Sequence, residues 1–342
     1  MTVHIGNEAD LVAAGLASAA ARYFGAPARI EGLRRDSGGA SRQTWSFDVV
    51  AAGHRHELIL RRDPPLAGAK GERERSAALD RATEFAVLRA AFQAGVRAPE
   101  VLFELTAADG LGEAFVMRRV GGTAIARKLL RDPPYAQART RIAGQLGEIL
   151  ARIHSVDPAT LPPLDRREAA DHIASLRGLL DTLGYAAPVF ELALSWLDRR
   201  KPAPSERPSL VHGDYRTGNY LADESGVSAI LDWEGAHLGD PVEDLGWVCV
   251  KSWRFGSVDK PAGGFGSREE LWTAYERAGG GKVDPARAHW WEVFGTVRWG
   301  IICHTQAWKH LSGAQQSMEM ASIGRRAVET EVDLLQLFKE AR

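Results

Sequence analysis

Three oxygen-bearing side chains lie close together in sequence between residues 210 and 234, in a pattern suited to metal-assisted chemistry. Asp214 and Asn219 follow His212 in one short segment, and Asp232 follows in a second. A carboxylate can orient or deprotonate a hydroxyl group, and carboxylate and amide oxygens are the ligands that Mg²⁺ prefers in proteins. These residue types therefore suit transfer of a phosphoryl group to an alcohol, a reaction that needs both.

A predicted β-hairpin connects the two segments. Residues 223–226 read Asp-Glu-Ser-Gly, a turn sequence, and strand-like residues 220–222 and 227–231 flank it. Because a hairpin returns the chain to its starting point, we expect Asp232 to lie beside Asn219. Alone, His-Gly-Asp is an ordinary turn and Asp-Trp-Glu a strand end, so the hypothesis rests on the combination of spacings.

The same spacing occurs in kinase catalytic loops, where His-x-Asp is followed by Asn five residues after the Asp and later by a metal-binding Asp. The sequence resembles the aminoglycoside phosphotransferase and choline kinase superfamily, the small-molecule branch of the protein-kinase-like fold. It has His-Gly-Asp in place of His-Arg-Asp, Asp-Trp-Glu in place of Asp-Phe-Gly, and Gly-Asp-Pro-Val-Glu-Asp-Leu at 239–245. No Ala-Pro-Glu follows the Asp-Trp-Glu segment, where an activation segment would end, which disfavours a protein kinase.

The resemblance implies roles for the residues of this region. Asp214 would be the catalytic base or the carboxylate that orients the acceptor hydroxyl, an effect worth about 10²–10⁴ in rate. Asn219 and Asp232 would hold Mg²⁺, and Glu234 is either a further ligand or a surface charge. His212 would brace the loop through hydrogen bonds. Asp244 would be the buried carboxylate that accepts hydrogen bonds from the loop backbone.

The nucleotide-binding residues depart further from the kinase pattern. A Gly-rich turn at Ser37, Gly38 and Gly39 has the small residues that a phosphate-covering loop requires, but it does not match G-x-G-x-x-G. Where the family has a strand lysine, this chain has Arg61. We assign Arg61 to the α- and β-phosphates and to an ion pair with Glu84, because a guanidinium binds such groups in a bidentate manner. Glu84 as a plain solvated helix charge is the competing interpretation.

Backbone contacts to adenine are expected at residues 115–121, which would form the hinge. In the family, hinge backbone groups hydrogen-bond the adenine ring. Here they would be the carbonyl of Arg118 and the N–H of Val120, with Met117 in the core facing the adenine edge.

The elements that must position these residues fall into a strand-rich first third and a helical remainder. We expect an α+β, protein-kinase-like, two-lobed fold, with an N-terminal nucleotide-binding lobe (1–118) that contains an antiparallel sheet plus a helix. A larger, mainly helical C-terminal lobe (119–342) would carry the catalytic loop and the acceptor site. The helical pattern covers 7–24, 72–94, 136–155, 169–182, 188–200, 268–278 and 286–310, and strand patterns cover 45–49, 57–60, 99–105 and 113–118.

Composition excludes several classes of function. The 342 residues contain 43 Lys+Arg and 44 Asp+Glu, a net charge of -1, so no global attraction to nucleic acid or to an anionic membrane is expected. No apolar run approaches 18 residues, and no basic segment precedes the N-terminal apolar stretch, so neither a membrane span nor a signal peptide is expected. Cys249 and Cys303 are predicted to be buried, unpaired thiols of a cytoplasmic protein.

The acceptor side carries weaker signals. Trp290, Trp291 and Trp299 lie on one predicted helix and serve either helix packing or an aromatic acceptor pocket. The Gly-rich segment 256–266 is either a mobile flap or a simple loop. Lys251, Arg254 and Lys260 add positive charge near the expected acceptor pocket.

The resemblance implies a small-molecule kinase that moves the γ-phosphoryl group of ATP, with Mg²⁺, to a hydroxyl of a small molecule. The positive charge after residue 250 suits a hydroxyacyl or CoA-linked acceptor, and similar kinase-like domains are fused to acyl-CoA dehydrogenases. The alternatives are a kinase for an aminoglycoside or a choline-like amino alcohol, and a catalytically silent nucleotide-binding module, which the arginine at position 61 leaves open.

Overall fold

The computed structural model describes residues 5–36, 43–63, 78–184 and 186–340. The chain divides into two compact units. The first comprises residues 1–122, 159–162 and 228–236, and the second comprises residues 123–158, 163–227 and 237–342. The predicted lobe boundary between residues 118 and 119 stays a prediction.

The first unit contains a five-stranded antiparallel sheet and two helices. Its elements are α1 (Ile5–Phe24), β1 (Ala28–Arg35), β2 (Gln43–Ala51), β3 (His54–Asp63), α2 (Arg81–Gln93), β4 (Val101–Glu104) and β5 (Glu113–Arg118). The strand order is β1-β2-β3-β5-β4. This order places β3, which carries Arg61, in the middle of the sheet.

Local sequence explains this arrangement. Strands β2 and β3 are joined by Ala52 and Gly53, both with positive φ, as a two-residue hairpin turn of matching twist requires. Helix α2 begins after Asp80, whose side chain accepts a hydrogen bond from the N–H of Thr83. The core combines residues of α1 at four-residue spacing with strand residues: Val12, Leu16, Ala20, Phe47, Val49, Leu58, Leu60 and Val116.

The second unit is mainly helical. Its helices are α3 (Ala126–Arg131), α4 (Ala136–Arg139), α5 (Ile142–His154), α6 (Ala169–Leu183), α7 (Pro188–Arg199), α8 (Val242–Trp247), α9 (Arg268–Arg277), α10 (Pro285–Leu311), α11 (Met318–Gly324) and α12 (Ala327–Glu340). Strands β6 (Ser209–Val211) and β9 (His237–Gly239) pair with each other, as do β7 (Tyr220–Asp223) and β8 (Gly226–Ile230). The second pair is the predicted hairpin, and the division between the units falls within β8.

Helix α10 is the central element of the second unit. Asp284 caps it by accepting a hydrogen bond from the N–H of Ala286, and Pro285 begins it. Trp290, Trp291 and other apolar residues of α10 pack against α6, α7 and α12 in one buried core. Helix packing is therefore the role of these two tryptophans.

Two predicted helices differ from the observed ones. The predicted helix 136–155 is broken into α4 and α5 at residues 140–141, where the N–H of Thr140 bonds to the carbonyl of Gln137, three residues back. The predicted helix 72–94 begins only at Arg81, and residues 64–77 lie outside the described part of the chain.

Among the described residues, no helix combines the length and the apolar character that crossing a membrane requires. Cys249 and Cys303 are buried and unpaired, as predicted. Burial raises the pKa of each thiol to about 12, so both remain protonated at neutral pH.

Candidate active site

A single buried carboxylate fixes the backbone of the loop at residues 212–219. Asp244, on α8, accepts hydrogen bonds from the N–H of His212 (2.8 Å) and from the N–H of Gly213 (3.0 Å). Its side chain is fully buried, and the imidazole Nε2 of His154 lies 3.2 Å from Oδ2. Gly213 has a φ of +77°, which glycine adopts without strain. Asp244 thus has the contacts that the resemblance implied.

The Asp214 carboxylate is oriented by three side-chain donors. Oδ1 accepts hydrogen bonds from the indole N–H of Trp247 (2.8 Å) and from Nε of Arg216 (3.0 Å), and Oδ2 accepts one from the amide of Asn219 (2.5 Å). The Asp214 side chain is 29% exposed, so it is accessible to a ligand. We call these four residues the Asp214 site. Oδ2 accepts only one donor within it and retains acceptor capacity for a hydroxyl.

Asn219 has its two polar atoms in different roles. Its amide nitrogen donates to the carbonyl (3.0 Å) and to the carboxylate of Asp214. Its amide oxygen accepts no hydrogen bond from the described residues, so this oxygen could act as a metal ligand. His212 is fully buried, and its Nδ1 lies 3.2 Å from the N–H of Asp214, which supports a bracing role.

Two arginines lie over a row of indole rings beside the Asp214 site. The guanidinium of Arg216 is 4.6 Å from the ring centroid of Trp253, and that of Arg298 is 4.7 Å from the centroid of Trp247. The rings of Trp247 and Trp253 are 5.2 Å apart, and Trp299 continues the row at 4.8 Å from Trp253. Nη1 of Arg298 donates to the carbonyl of Gly213 (2.8 Å).

Sequence reasoning missed three of these contacts. Arg216 and Trp247 lie inside segments that it singled out, so testing their side chains as partners of Asp214 could have found them. Arg298 lies 84 residues after Asp214, and no sequence signal marks it.

A second charged cluster lies in the first unit around Arg61. Nη1 of Arg61 is 2.5 Å from Oδ1 of Asp232, and Nη2 is 3.4 Å from Oε1 of Glu84. Arg81, one turn before Glu84 on α2, forms an ion pair with the other oxygen of Glu84. We call Arg61, Arg81, Glu84 and Asp232 the Arg61 cluster. Glu234 lies at its margin, 3.8 Å from Nη2 of Arg81 and 3.9 Å from Nη2 of Arg61.

Burial and charge have opposing effects on Arg61. Its side chain is 12% exposed, and burial alone lowers the pKa of the guanidinium. The carboxylates of Glu84 and Asp232 outweigh that effect and raise the pKa above its ordinary value, so Arg61 stays charged. The competing interpretation of Glu84 as a solvated charge is wrong, because its side chain is only 1% exposed.

Asp232 is held in an unusual backbone conformation. Its φ of 59° and ψ of 62° lie in the left-handed region, which aspartate tolerates better than most residues. Hydrogen bonds anchor the chain on both sides: the N–H of Ile230 donates to the carbonyl of Arg97, and the N–H of Leu79 donates to the carbonyl of Glu234 (2.7 Å each). A fixed carboxylate of this kind is typical of functional sites.

The other predicted nucleotide contacts are only partly described. Ser37, Gly38 and Gly39 lie outside the described residues. Arg118 ends β5, and the N–H of Val120 donates to no group among the residues that the structure describes, so it is available to a ligand. Asn219 belongs to the second unit and Asp232 to the first, and their joint binding of a metal ion stays a prediction.

Most of the positive charge predicted for the acceptor side is engaged elsewhere. Lys251 is paired with Asp333 (2.6 Å), and Arg254 bonds to Glu292 (3.0 Å) and to backbone carbonyls. Lys260 lines an open groove of about 1390 Å³ between α5 and α9, which no residue of the Asp214 site lines. The prediction that these cations recognise the acceptor loses the support of Lys251 and Arg254.

The Gly-rich segment 256–266 is tied to the catalytic loop. The hydroxyl of Thr217 donates to the carbonyl of Gly263 (2.8 Å), and the N–H of Gly263 donates to the carbonyl of Val248 (3.2 Å). These contacts favour the interpretation of this segment as a simple loop over that of a mobile flap.

A buried carboxylate–imidazole group lies behind Arg298. Oε2 of Glu243 is 3.1 Å from Nε2 of His172 and 3.1 Å from Nε2 of His237. Burial raises the pKa of Glu243, but the two imidazoles outweigh it and hold the pKa well below its usual range. Oε1 of Glu243 lies 3.8 Å from Nη1 of Arg298, so the group is connected to the Gly213 carbonyl through that arginine.

Comparison with known proteins gives both a family and a fold. The model of the phosphotransferase enzyme family (APH) matches residues 32–280. A protein from Ralstonia eutropha JMP134, assigned to the aminoglycoside phosphotransferases, is similar with a TM-score of 0.68 and 21% identity over 98% of each chain. A thermostable mutant of aminoglycoside phosphotransferase APH(4)-Ia, in a ternary complex with AMP-PNP and hygromycin B, gives 0.60 and 16%, covering 94% of this chain and 98% of its own. The predicted α+β, protein-kinase-like fold is confirmed.

The chain is also similar to part of several longer curated proteins. Acyl-CoA dehydrogenase family member 11 from Gallus gallus is 29% identical over 237 residues, which are 65% of this chain and 28% of that protein. The chain spans less than a third of the length of the curated relatives it matches first. The similarity is therefore to one part of those larger proteins.

Proposed function

The chain belongs to the phosphotransferase enzyme family (APH), as its sequence motifs predicted, and on this premise we propose that it transfers the γ-phosphoryl group of ATP, with Mg²⁺, to a hydroxyl group of a small molecule. The observation that carries the proposal is the Asp214 carboxylate, which three donors orient while one of its oxygens keeps acceptor capacity. A fixed carboxylate of this kind is what a reaction driven by positioning requires.

Each predicted site residue has a part in this proposed mechanism. Asp214 accepts the hydrogen bond of the acceptor hydroxyl and takes its proton as the oxygen attacks phosphorus. Arg61 binds the α- and β-phosphates, and Glu84, which is itself paired with Arg81, holds it in place. The backbone of Arg118 and Val120 binds adenine. Ser37, Gly38 and Gly39 would cover the phosphates with backbone N–H groups.

The donor set fits a hard divalent cation. Asn219 supplies an amide oxygen that accepts no hydrogen bond from the described residues, and Asp232 supplies a carboxylate. These two residues would hold Mg²⁺, and Glu234 would contribute through a direct or water-mediated contact. Bound there, the ion would neutralise the charge of the phosphate oxygens.

Asp214→Ala tests the assignment. We expect turnover, measured as ADP release with a productive acceptor, to fall by about 10²–10⁴. Thermal stabilisation by Mg·ATP should remain, because a ligand that binds the native state raises its apparent stability whether or not it reacts. The control is Glu224→Gln, an exposed carboxylate of the β7–β8 turn. Turnover at the parent rate in Asp214→Ala would falsify the assigned role.

The acceptor is proposed on separate grounds. The relatives named as acyl-CoA dehydrogenase family members favour a hydroxyacyl or CoA-linked alcohol. A kinase for an aminoglycoside, such as the hygromycin B in the complex above, or for a choline-like amino alcohol is the alternative. A panel of these alcohols assayed for ADP release separates the classes. A silent nucleotide-binding module would bind Mg·ATP and release ADP with none of them.

A further inference from the structure

We propose that the acceptor carries an oxyanion group, a carboxylate or a phosphate, which the guanidinium groups of Arg298 and Arg216 bind beside Asp214. The proposal rests on the proposed function, because it takes Asp214 as the point at which the acceptor hydroxyl is held. It adds a substrate class and two residues that recognise it.

Arg298 presents unused donors next to the catalytic loop. One nitrogen, Nη1, donates to the carbonyl of Gly213, the residue before Asp214. Nε and Nη2 donate to no group among the described residues, although the side chain is 25% exposed and so is accessible to solvent. A guanidinium with a free edge can bind a carboxylate or phosphate through two parallel hydrogen bonds.

Arg216 presents a second cation in direct contact with the carboxylate. Its Nε is bonded to Oδ1 of Asp214, its Nη1 is 3.4 Å from the carbonyl of Thr217, and its Nη2 donates to no described group. The side chain is 26% exposed. One guanidinium therefore contacts Asp214 directly and the other contacts its neighbours Gly213 and Trp247, and each has at least one donor that remains available to a ligand.

The indole row fixes both arginines in position. Arg216 lies over Trp253 and Arg298 lies over Trp247, which contact each other. A guanidinium stacked on an indole keeps its donor edge directed away from the ring, and the loss of side-chain freedom has already occurred before a ligand arrives. The indole N–H groups of Trp253 and Trp299 are buried with no hydrogen-bond partner among the described residues. The row of indole rings therefore has more hydrogen-bond donors than acceptors.

The carboxylates of this region do not offset the two cations toward solvent. Glu243 and Asp244 contact Arg298 and the loop backbone, but both are buried and directed to His172, His237 and His154. Asp214 is the exposed acid of the group. The two guanidinium groups outnumber this one exposed carboxylate, so an anionic acceptor would meet a net opposite charge and a polycationic acceptor such as an aminoglycoside a net like charge.

The experiment compares acceptors that share a carbon skeleton and differ in one group. Hydroxy acids of two to six carbons are assayed for ADP release against the corresponding hydroxy amides, amino alcohols and phosphate monoesters of diols. We expect the best acid or phosphate to exceed its matched amide in kcat/KM by about tenfold to a hundredfold, the value of a hydrogen bond to a charged group. Whether the acid or the phosphate is preferred identifies the oxyanion.

Variants then connect that preference to Arg298. In Arg298→Gln the preference for the oxyanion over the amide should fall to about threefold or less, while KM for ATP stays unchanged. Arg298→Lys should retain part of the preference, because it keeps the charge without the planar fork. Arg199→Gln, an exposed arginine of α7, is the matched control. A merely structural role of Arg298 would lower turnover of acids and amides equally and leave their ratio unchanged.

Binding measurements separate this proposal from the proposed function. Calorimetry with Mg·ATP reports the nucleotide site, and calorimetry with each hydroxy acid and phosphate monoester reports the oxyanion site without turnover. Binding of these anions to the wild type but not to Arg298→Gln supports the inference even if no acceptor is phosphorylated. Amino alcohols or amides that bind or react as well as the anions, or the failure of every anion to bind, overturn it.

Discussion

In the Arg61 cluster the charged side chains form ion pairs with one another, whereas in the Asp214 site the central carboxylate remains accessible to a ligand. Arg61 is 12% exposed and pairs with Glu84 and Asp232. Arg81 is 2% exposed, pairs with Glu84, and lies 3.6 Å from Asp63 and 3.8 Å from Glu234. Asp214 is 29% exposed, and its Oδ1 accepts two donors while its Oδ2 accepts one. The charged groups of the first cluster are paired with one another, whereas Oδ2 of Asp214 keeps acceptor capacity for a ligand.

This difference indicates how each site would work. Under the proposed function, Arg61 would exchange Asp232 for phosphate oxygens when a nucleotide binds, and the Asp232 carboxylate would then become available to a metal ion. The Asp214 carboxylate needs no such exchange, because a preorganised group spends no energy on reorientation during the reaction. Nucleotide binding and hydroxyl activation should therefore respond to different substitutions.

The largest effect on stability is expected at Asp244, the carboxylate that fixes the backbone before Asp214. Asp244→Ala removes the acceptor of two buried backbone N–H groups, each of which costs about 1–3 kcal/mol when left unpaired. We expect the free energy of unfolding to fall by about 2–6 kcal/mol in urea titrations, with loss of turnover. Asp259→Ala, at an exposed loop position, is the control and should change stability by less than about 0.5 kcal/mol. An unfolding midpoint equal to that of the control contradicts the bracing role.

The next largest effect tests the Arg61 cluster. In Arg61→Lys the single ammonium cannot contact both Glu84 and Asp232 as the guanidinium does. We expect the dissociation constant of Mg·ATP, measured by calorimetry, to rise about tenfold to a hundredfold. Asp214→Ala should leave that constant near its parent value, which sharpens the contrast between the two sites. Arg55→Lys, on the same strand and more than half exposed, provides the control. Equal affinity in both lysine variants would show that the fork of Arg61 is dispensable.

The sequence predicts those parts of the two sites that depend on fixed spacing along the chain. Asp214 and Asn219 follow His212 at set intervals, and the family resemblance implied the role of Asp244 and the Arg61–Glu84 pair. The fold could also be predicted, since strand periodicity marks the first third of the chain and helical periodicity marks the remaining two thirds.

Contacts made by distant elements could not be predicted in this way. Arg298 reaches Gly213 only because α10 packs against α8, and no local pattern records that packing. Lys251 and Arg254 counted as acceptor-site charges because their partners, Asp333 and Glu292, are 82 and 38 residues away in sequence. A charge in a sequence does not report whether an ion pair already uses it.

A smaller effect is expected from the packing beneath the Asp214 site. A methyl group added at Gly147 on α5 would lie 2.3 Å from the carbonyl oxygen of Leu271 on α9, so the two helices must separate. We expect Gly147→Ala to lower the free energy of unfolding by about 1–3 kcal/mol. Because the carbonyl of Leu146 accepts the hydroxyl of Tyr215 (3.0 Å), turnover should fall as well.

A matched glycine provides the control for that prediction. Gly178 lies on α6, and a methyl group there meets no atom within 4 Å. Gly178→Ala should raise the free energy of unfolding by about 0.5–1 kcal/mol, the usual gain when alanine replaces glycine in a helix. If both variants move the thermal midpoint in the same direction, close packing of α5 on α9 is not what supports the loop.

The smallest expected effect is a pH dependence of the free energy of unfolding, which arises from Glu243 and its two imidazole partners. The two imidazoles hold the pKa of Glu243 well below its usual value of about 4.3. A depressed pKa contributes stability that is present above pH 4.3 and is lost as the pH falls toward the folded-state pKa. In Glu243→Gln the unfolding free energy should therefore decline less steeply between pH 5 and 3, by at most about 1.4 kcal/mol per pH unit for one proton. Glu224→Gln, which is exposed, should follow the wild-type profile. Parallel profiles for wild type and Glu243→Gln would mean that Glu243 is not ionised in the folded protein, and the connection from the imidazoles through Arg298 to Gly213 would then lack its central charge.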